Sequence, residues 1–218
     1  MILVTGAGGY IGAQTCKLLK QHNHTVIAND RQRIAHTYHD GVDQNNYGNI
    51  SDMMLADCDA VVHIGATSLV GPSITNPRDY YQNNVGSMLD LLDRCVRLGV
   101  SKFVFASSAA CYGEPQEDVC HESMEAQPCN PYGWSKRMGE VILKDYFAAY
   151  DISSVSLRFF NVAGADSDCE MGPARDGTHI ISRAIESAIK GNQFTLNGTD
   201  YDTKDGTCVR DYVHVEDI

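Results

Sequence analysis

Short apolar runs alternate through most of the chain with longer segments in which apolar residues recur at helical spacing. The short runs are apolar at successive positions, which indicates strands buried on both faces. Such strands separated by helices are typical of a parallel sheet covered on each side. The predicted strands are Ile2–Val4, Thr25–Ala28, Ala60–Ile64, Phe103–Ala106 and Val155–Phe159, and the predicted helices are Ile11–Gln21, Tyr80–Leu98 and Tyr132–Tyr150. The pattern predicts an α/β fold with a doubly wound parallel sheet.

The pattern changes after Asn161, where the segment NVAGADSDCEMGPARDGTH is rich in Gly, Asp and Pro. Such a shift in composition marks a domain boundary. We predict one domain over residues 1–160 and a smaller one over residues 161–218, with a helix at Ile180–Lys190 and extended pieces at Phe194–Leu196 and Cys208–Val213. The final segment VHVEDI is typical of the entry to a further helix, so we expect the smaller domain to be partial.

Composition and charge disfavour several classes of function, among them nucleic-acid binding, membrane association and metal binding. A chain of 218 residues buries roughly 70% of its unfolded surface, enough for a full core. The net charge of −11, with no run of Lys or Arg, disfavours nucleic acid as a partner. No stretch reaches the roughly 20 apolar residues of a membrane span, and no signal-peptide pattern is present, so we expect no membrane association and a cytoplasmic location. The eight cysteines lack metal-ligand spacing, so we expect reduced thiols and no metal site.

Three glycines follow the first predicted strand in the segment TGAGGYIG. Gly6 permits a tight turn, Gly9 lets the backbone approach a pyrophosphate, and Gly12 lets the next helix pack closely on the strand. The N-terminus of that helix adds N–H donors and a positive dipole end. A glycine-rich turn without a ligand is the alternative, so the motif needs support from elsewhere in the chain.

Asp30, at the end of the second predicted strand, gives that support. An acid at this place accepts hydrogen bonds from an adenosine ribose and repels a 2′-phosphate, which favours NAD over NADP. Arg31 follows directly, and a basic neighbour can tolerate the extra phosphate. NADP therefore stays open as the alternative.

A second motif, NPYGWSK, places a tyrosine and a lysine four residues apart. Asn130 and Pro131 favour a helix start, so Tyr132 and Lys136 lie on one face of the predicted helix. An ammonium beside a phenol lowers the pKa of the phenol, so that it can act as a base. Ser108 follows a predicted strand at the sheet edge where ligands bind, and it completes one proposed site. The alternative for the Tyr–Lys pair alone is a packed ring and a solvated amine.

Motifs in every part of the chain carry a family resemblance. In chain order they are TGAGGYIG, DYYQNNV, SSAACYG, NPYGWSK, LRFFNVAGA and DGTCVRDYVHVED. From Met1 to Ile218 the chain resembles the extended short-chain dehydrogenase/reductases of the NAD-dependent epimerase/dehydratase family, and among them the UDP-glucose 4-epimerases. The resemblance implies a Rossmann-type domain that holds NAD, a smaller domain that holds a UDP-sugar substrate, and a homodimer joined through two helices per subunit, here Tyr80–Leu98 and Tyr132–Tyr150.

The resemblance also implies a reaction, the epimerisation of a UDP-hexose such as UDP-galactose or UDP-glucose at carbon 4. The chain would then be an isomerase of galactose metabolism that acts through a 4-keto intermediate. Tyr132 would take the proton of the sugar 4-hydroxyl while NAD accepts the hydride. Ser108 would hydrogen-bond the same hydroxyl, and Lys136 would bind the nicotinamide ribose and tune Tyr132.

Further residues are implied by position in the family motifs. Those implied to bind NAD are Gly6, Gly9, Tyr10, Ile11, Gly12, Asp30, Asn49, Ile50, Ile64, Gly65, Ala66, Asn84, Lys136 and Phe160. Those implied to bind the UDP-sugar are Ser108, Tyr132, Asn161 and Arg210. A guanidinium and an amide are suitable donors for a diphosphate. A pair between Arg210 and Asp211 or another acid is the structural alternative.

The chain departs from the family at several places. Asn49 stands in GNI where the family has Gly-Asp-Ile, so the adenine would meet an uncharged amide, and we predict weaker NAD binding. The segment SAA that begins at Ser108 lacks the acid pair with which related dehydratases eliminate water, which disfavours a dehydratase. Family members also continue well beyond the position of Ile218, so we expect a C-terminally short substrate domain with exposed apolar surface.

Two other functions stay open. An NAD-dependent nucleotide-sugar reductase or dehydrogenase would use the same Tyr132 and Lys136 but release NADH with its product. A truncated NAD-binding module would keep the cofactor site and lack catalytic activity. The sequence leaves the identity of the sugar open, because sugar choice in this family depends on the pocket that the C-terminal region completes.

Overall fold

The computed structural model describes residues 1–31, 42–50, 58–115, 117, 119–173 and 179–218. The chain divides into two compact units, unit 1 over Met1–Phe159 and unit 2 over Phe160–Ile218. Within the described ranges, no helix combines the length and the apolarity that crossing a membrane requires.

Unit 1 is built around a six-stranded sheet. Its strands are β1 Ile2–Thr5, β2 Val26–Asp30, β3 Gln44–Tyr47, β4 Ala60–His63, β5 Lys102–Ala106 and β6 Ser153–Leu157. They lie in the order β3-β2-β1-β4-β5-β6, and each neighbouring pair is parallel. This arrangement confirms the predicted doubly wound α/β class. The polar strand β3 was not predicted, because its sequence QNNY carries no apolar signal and its place depends on pairing with β2.

The strand order reverses between β1 and β4, which are neighbours in the sheet although β2 and β3 separate them in the chain. Open α/β sheets bind ligands outside the carboxyl ends of the strands at such a reversal. The register places Thr5 beside His63, so the segments that leave these two residues start at the same edge. A ligand is therefore expected at the turns after β1 and β4.

Helices connect the strands of unit 1. They are α1 Tyr10–Gln21, α2 Val70–Thr75, α3 Pro77–Tyr80, α4 Ser87–Leu98 and α5 Pro131–Tyr150, with a short 3₁₀ helix at Ala109–Cys111. Asn130 begins α5 as predicted, since its side-chain oxygen accepts the N–H of Gly133 at 2.9 Å. Gly99 ends α4 in the left-handed region with a φ of 72°.

The predicted helix Tyr80–Leu98 is not one regular α-helix. A π-helix over Tyr81–Gly86 separates α3 from α4. Asn84 lies inside this segment and is buried, with its side chain bonded to Thr67. A π-helix winds an extra residue into the turn, and here the segment carries the buried Asn84 to its contacts with Thr67 and with Ser135 of α5.

The core lies on both faces of the sheet. Leu3 of β1 packs on one face with apolar residues of α4 and α5, among them Leu91 and Leu143. The next residue, Val4, packs on the other face with Cys16 of α1. Successive strand residues point to opposite faces, so this unbroken apolar strand is buried on both sides, as its sequence predicts.

Unit 2 contains α6 Ile180–Lys190 and a parallel pair of strands, β7 Asn161–Ala163 and β8 Tyr212–His214. The prediction of α6 is confirmed, while β7 was not predicted. The predicted extended piece Phe194–Leu196 is not a strand, because no described strand pairs with it, and its apolar side chains are exposed. Of the predicted piece Cys208–Val213, only the last two residues belong to β8.

One face of α6 is apolar and uncovered within unit 2. Ile181, Ile185 and Ile189 follow one another at a spacing of four residues and are 38%, 55% and 81% exposed. Residues at this spacing share one face of a helix. An apolar stripe of this kind on an otherwise polar protein indicates a surface that another part of a protein covers.

Candidate functional site

The turn after β1 is closed by backbone contacts that leave no room for side chains. Gly6 has a φ of +69°, and a Cβ on it would lie 2.6 Å from the backbone of Gly65. A Cβ on Gly12 would lie 2.1 Å from the carbonyl oxygen of Gly6. The packing of the chain itself therefore requires Gly6 and Gly12, whether or not a ligand binds.

Gly9 is the glycine that points to a ligand. It is exposed, and a Cβ on it would meet only the Gly6 carbonyl oxygen, at 3.3 Å. It begins α1 without a side-chain cap, and the first turn of α1, which starts with Tyr10 and Ile11, carries no acidic residue. A helix N-terminus of this kind attracts an anion through its N–H groups and its dipole. The turn therefore fits the diphosphate of a dinucleotide such as NAD.

Asp30, at the end of β2, holds the glycine turn directly. Its Oδ2 accepts the N–H of Gly8 at 2.9 Å, and its backbone carbonyl accepts the N–H of Gly48 at 3.0 Å. The acid is thus fixed beside the turn, at the place where a ribose hydroxyl of a bound dinucleotide is accepted. The two residues after Gly48 differ in exposure, since Asn49 is exposed whereas Ile50 packs against the core.

The turn after β4 is anchored to β1 by a hydroxyl. The N–H of Gly65 donates to Thr5 Oγ1 at 3.2 Å, and a hydrogen bond of 2.7 Å joins that hydroxyl to His63 Nδ1. Ile64 reinforces the link, because its N–H donates to the Thr5 carbonyl at 3.2 Å. Together these bonds hold Ile64, Gly65 and Ala66 along the edge where the glycine turn lies.

His63 is a buried neutral imidazole that the sequence did not point to. Its ring lies 5.9 Å from the rings of both Phe103 and Phe105. Burial, and then the charge of Lys136, lowers the pKa of His63 to about 3. Because the imidazole stays neutral, it can lie beneath the cationic Lys136 without repelling it.

Ser108, Tyr132 and Lys136 come together at the carboxyl edge of the sheet. Ser108 begins the 3₁₀ helix after β5, and its Oγ accepts the N–H of Ala110 at 3.1 Å. Its side chain lies near Tyr132, where it favours a lower pKa of that phenol. Lys136 lies one turn after Tyr132 in α5, as its spacing predicts. Its Nζ donates to the carbonyl of Ala106 at 2.7 Å and lies 5.0 Å from the centre of the Phe105 ring.

The pKa of Tyr132 moves in the direction opposite to the one predicted. Burial raises the pKa of Tyr132 above 10.0, and the Ser108 side chain opposes this effect only in part. Lys136 is not among the groups that shift this pKa, and its Nζ donates to the Ala106 carbonyl. Burial lowers the pKa of Lys136 itself to about 8. A phenolate at neutral pH therefore needs a further donor or positive charge beside Tyr132.

Asn84 links the turn after β4 to α5. Its Oδ1 accepts the N–H of Thr67 at 2.8 Å and the Nδ2 group of Asn83 at 3.0 Å. Its own Nδ2 donates to the Thr67 carbonyl at 3.0 Å and to Ser135 Oγ at 2.9 Å. An amide side chain makes four hydrogen bonds at most, and all four are made here. The contact between Asn84 and NAD that the family resemblance implies would have to replace one of them.

Three predicted site residues lie in unit 2. Phe160 is exposed, and Asn161 begins β7. Asn161 is held against β8, because its Nδ2 and its backbone N–H both donate to the Asp211 carbonyl, at 3.0 and 3.2 Å. Arg210 is exposed, and its Nη1 donates to the carbonyl of Val209 at 2.7 Å. The guanidinium thus lies at the surface of unit 2.

An acidic cluster also lies in unit 2. One carboxylate oxygen from each of Asp166, Asp168 and Glu170 lies within 4.8 Å of the others. Asp166 is buried and already accepts the N–H of Met171 at 2.6 Å. Asp168 and Glu170 are exposed, and exposed acidic groups of this kind are common without a metal ion.

Sequence reasoning missed the residues that support the site. These are Thr5, His63, Ser107, Ser135, Glu140 and Arg158. One signal was available for Glu140, which lies four residues after Lys136 and so continues the face of α5 that carries Tyr132 and Lys136. The other residues have no local signal, because their roles depend on contacts between distant parts of the chain.

Known proteins are similar to this chain in sequence. The model of the NAD dependent epimerase/dehydratase family matches residues 2–218. The UDP-glucose 4-epimerase of Azospirillum brasilense is 39% identical over 227 residues, which cover 100% of this chain and 65% of the relative. The UDP-glucose 4-epimerase of Rhizobium meliloti is 39% identical over 226 residues, which cover 100% of this chain and 69% of the relative. This chain therefore spans 65% and 69% of the lengths of these two relatives.

Solved structures agree with the sequence matches. The crystal structure of UDP-glucose 4-epimerase from Brucella ovis in complex with NAD has a TM-score of 0.92 and 38% identity, and the match covers 99% of this chain and 69% of that one. The enzyme from Bifidobacterium longum in complex with NAD⁺ and UDP has a TM-score of 0.87 and 33% identity, with coverage of 99% and 70%. The predicted Rossmann-type fold and the family resemblance are thereby confirmed, and the chain belongs to the NAD dependent epimerase/dehydratase family.

Proposed function

We propose that the chain epimerises UDP-hexoses at carbon 4, interconverting UDP-galactose and UDP-glucose with NAD as its cofactor. The observation that carries the proposal is the placement of Ser108, Tyr132 and Lys136 together at the carboxyl edge of the sheet, with Lys136 one helical turn after Tyr132 and bonded to the Ala106 carbonyl at the end of β5. Relatives named UDP-glucose 4-epimerase, and solved structures of such enzymes with NAD and with UDP, support it. The reaction makes the chain an isomerase of galactose metabolism.

The chain holds NAD at the reversal point of the sheet in this proposal. The N-terminus of α1 at Gly9 takes the diphosphate, Asp30 takes the adenosine ribose, and Asn49 lies by the adenine. The segment at Ile64, together with Lys136, contacts the rest of the cofactor. When bound, NAD supplies a reversible hydride acceptor for carbon 4 of the sugar.

The side chains of the site move one proton and hold the sugar. Tyr132 accepts the proton of the 4-hydroxyl and later returns it after the 4-keto sugar has turned over. Ser108 hydrogen-bonds the same oxygen, and Lys136 fixes the ribose side of the site through its charge. In unit 2, Asn161 and Arg210 bind the UDP diphosphate, because an amide and a guanidinium are suitable donors for phosphate oxygens.

In this proposal, unit 1 binds NAD and unit 2 binds the UDP-sugar. Unit 1 corresponds to the predicted NAD-binding domain of residues 1–160, and unit 2 to the predicted substrate domain of residues 161–218. We place the protein in the cytoplasm, since its eight cysteines are free thiols and four of them are buried.

The proposal includes a homodimer formed through α4 and α5. Trp134, Met138 and Val141 are exposed, and their spacing places them on one face of α5, away from the buried face with Lys136 and Leu143. An apolar face of this size fits a second copy of the chain. Sedimentation of the wild type and of Trp134→Glu tests this, with a dimer expected only for the wild type. A wild type that sediments as a monomer at high concentration contradicts the dimer.

A second candidate function is an NAD-binding module without catalytic activity. The observation that favours it is coverage, because the chain spans 65% of the length of its Azospirillum brasilense relative. The apolar face of α6 is consistent with this candidate, since its residues Ile181, Ile185 and Ile189 are exposed.

The experiment that separates these functions uses the purified chain and UDP-galactose, with and without added NAD, and follows UDP-glucose by chromatography. Tyr132→Phe serves as the test variant. Tyr146→Phe is its matched control, because Tyr146 lies in the same helix but donates its hydroxyl proton to Asp93. We expect conversion by the wild type and by Tyr146→Phe, and none by Tyr132→Phe. Folded protein that binds NAD and converts nothing would support the module instead.

A further inference from the structure

The carboxylate of Glu140 accepts four hydrogen bonds. Its Oε1 accepts Ser107 Oγ at 2.6 Å and Arg158 Nε at 2.8 Å. Its Oε2 accepts Arg158 Nη2 at 2.7 Å and Arg137 Nη1 at 3.0 Å. Bidentate contact with Arg158 is the strongest geometry available to such a pair. The network therefore fixes the carboxylate in one orientation.

These bonds join the segments that carry the proposed catalytic residues. Glu140 lies on α5, one turn beyond Lys136 and two turns beyond Tyr132. Ser107 immediately precedes Ser108. Arg158 immediately precedes Phe159, whose carbonyl accepts the N–H of Ala109 at 2.9 Å. The turn that holds Ser108 is thus tied on one side to Glu140 and on the other to the segment after β6.

The burial and charge of Glu140 make this connection stiff. The side chain is only 8% exposed. Burial raises the pKa of Glu140, but hydrogen bonds from Arg158, Ser107 and Arg137 outweigh it, and the pKa falls to about 2. The carboxylate is therefore ionised at neutral pH, and a buried ionised acceptor forms strong hydrogen bonds with its donors.

We propose that Glu140 is a positioning residue for the epimerisation, and that it sets the distance between the Ser108 hydroxyl and the Tyr132 phenol through its hydrogen bond with Ser107. This inference rests on the proposed function for its effect on rate, but its structural part is independent of turnover. Glu140 touches neither substrate nor cofactor in this role. It acts by holding the turn of Ser108 against the helix that carries Tyr132.

A purely structural role for Glu140 is the competing explanation. Removing the carboxylate also leaves the partly buried Arg158 without this partner, which destabilises the fold in either case. Glu140→Gln alone therefore cannot separate the two explanations. Ser107→Ala can separate them. It removes the hydrogen bond between Glu140 and Ser107, which precedes Ser108, and it keeps the contacts of Glu140 with Arg158 and Arg137.

The matched control is Ser73→Ala. Ser73 is also a buried serine, and its hydroxyl donates to the Val70 carbonyl at 2.6 Å within its own helix. Both substitutions remove one buried hydroxyl and one short hydrogen bond, and only Ser107 is linked to the Ser108 turn. A difference between the two variants thus reports on the turn and not on the loss of a hydroxyl as such.

Two measurements on wild type, Ser107→Ala and Ser73→Ala test the proposal. The first is kcat and KM for UDP-galactose. The second is the titration of the Tyr132 phenol by nuclear magnetic resonance of protein with labelled tyrosine, in which Tyr132→Phe identifies the signal. Unfolding in urea measures the stability of each variant and, if it folds, of Glu140→Gln.

We expect Ser107→Ala to lower kcat by about 10- to 100-fold with little change in KM, because misplacement of a reacting group affects the chemical step. The phenol of Tyr132 should titrate at higher pH in Ser107→Ala, since the effect of Ser108 that favours the phenolate is weakened. Ser73→Ala should change neither quantity. An unchanged Tyr132 titration in Ser107→Ala overturns the proposal, whatever its stability.

The outcomes distinguish this inference from the proposed function. If the wild type binds NAD but converts no UDP-galactose, the epimerase proposal fails, and the Tyr132 titration still decides the role of Glu140. If the wild type converts UDP-galactose and Ser107→Ala has the same kcat, the epimerase stands, and the positioning role is rejected. A Glu140→Gln that folds should show the same upward shift in the Tyr132 titration as Ser107→Ala.

Discussion

The backbone of Gly65 lies so close to Gly6 that a Cβ on Gly6 would be 2.6 Å from both the nitrogen and the Cα of Gly65. The turn after β1 and the turn after β4 are therefore one packed structure rather than two independent loops. The hydroxyl of Thr5 strengthens this structure, because it accepts the N–H of Gly65 and bonds the ring of His63. Changes in either turn should thus affect the dinucleotide site as a whole.

Gly12→Ala tests this packing. Its Cβ would lie 2.1 Å from the Gly6 carbonyl oxygen, so the turn must shift, and we expect a loss of about 1–3 kcal/mol in the free energy of unfolding together with weaker NAD binding. Gly86→Ala is the matched control, because a Cβ there meets no atom within 4 Å and the residue is helical. It should keep its NAD affinity and gain up to about 1 kcal/mol. Urea unfolding and NAD calorimetry measure both effects, and equal behaviour of the two variants would refute the argument.

The buried His63 predicts a specific dependence of stability on pH. Its pKa is about 3 in the folded chain and 6.5 as an ordinary histidine, so between these values the unfolded chain binds a proton that the folded chain does not. Stability should therefore fall as the pH falls below about 6.5, by up to about 1.4 kcal/mol per pH unit from this residue.

His63→Asn isolates that contribution. The amide keeps a polar contact for Thr5 and does not titrate, so the variant should be less stable than the wild type at pH 7 but lose less stability between pH 6.5 and pH 4.5. Urea unfolding at several pH values gives both curves. Parallel curves for the wild type and the variant would show that His63 does not stay neutral in the folded chain.

Asn49→Asp should tighten NAD binding. Asn49 is exposed after β3, and a carboxylate accepts a hydrogen bond from the adenine amino group more strongly than an amide does. We expect the NAD dissociation constant to fall by about three- to tenfold, measured by calorimetry. Nicotinamide mononucleotide lacks the adenine, so its binding should not change. An unchanged affinity for NAD in Asn49→Asp counts against a place for Asn49 at the adenine.

The parts of the molecule that were predictable from the sequence are those with local causes. A buried strand such as β1 is recognisable because its first three positions, Ile2–Val4, are all apolar, and the roles of Gly6 and Gly12 follow from backbone sterics. Tyr132 and Lys136 lie on one helix face because α-helical geometry fixes residues four apart. These features depend on neighbours in the chain, so spacing alone is informative.

The features that were not predicted depend on tertiary contacts. The direction of the Tyr132 pKa follows from burial, which the motif NPYGWSK does not reveal. The π-helix around Asn84 likewise follows from contacts with Thr67, which lies in another turn. Sequence reasoning thus pointed to Ser108, Tyr132 and Lys136, the proposed reacting groups, and missed the groups that hold them.

The side-chain amide of Asn84 makes all four of its possible hydrogen bonds in the folded chain, so we expect its removal to destabilise the protein. Asn84→Ala removes the partners of the N–H and carbonyl of Thr67 and one donor to Ser135 Oγ, which still donates to the Tyr132 carbonyl, and we expect it to cost about 2–4 kcal/mol of unfolding free energy. Asn83→Ala is the matched control, since Asn83 is less buried and only donates, to Thr67 Oγ1 and to Asn84. It should cost about 1 kcal/mol. Urea unfolding compares the two, and a cost for Asn84→Ala no larger than that for Asn83→Ala would mean that Asn84 does not anchor the turn after β4 to α5.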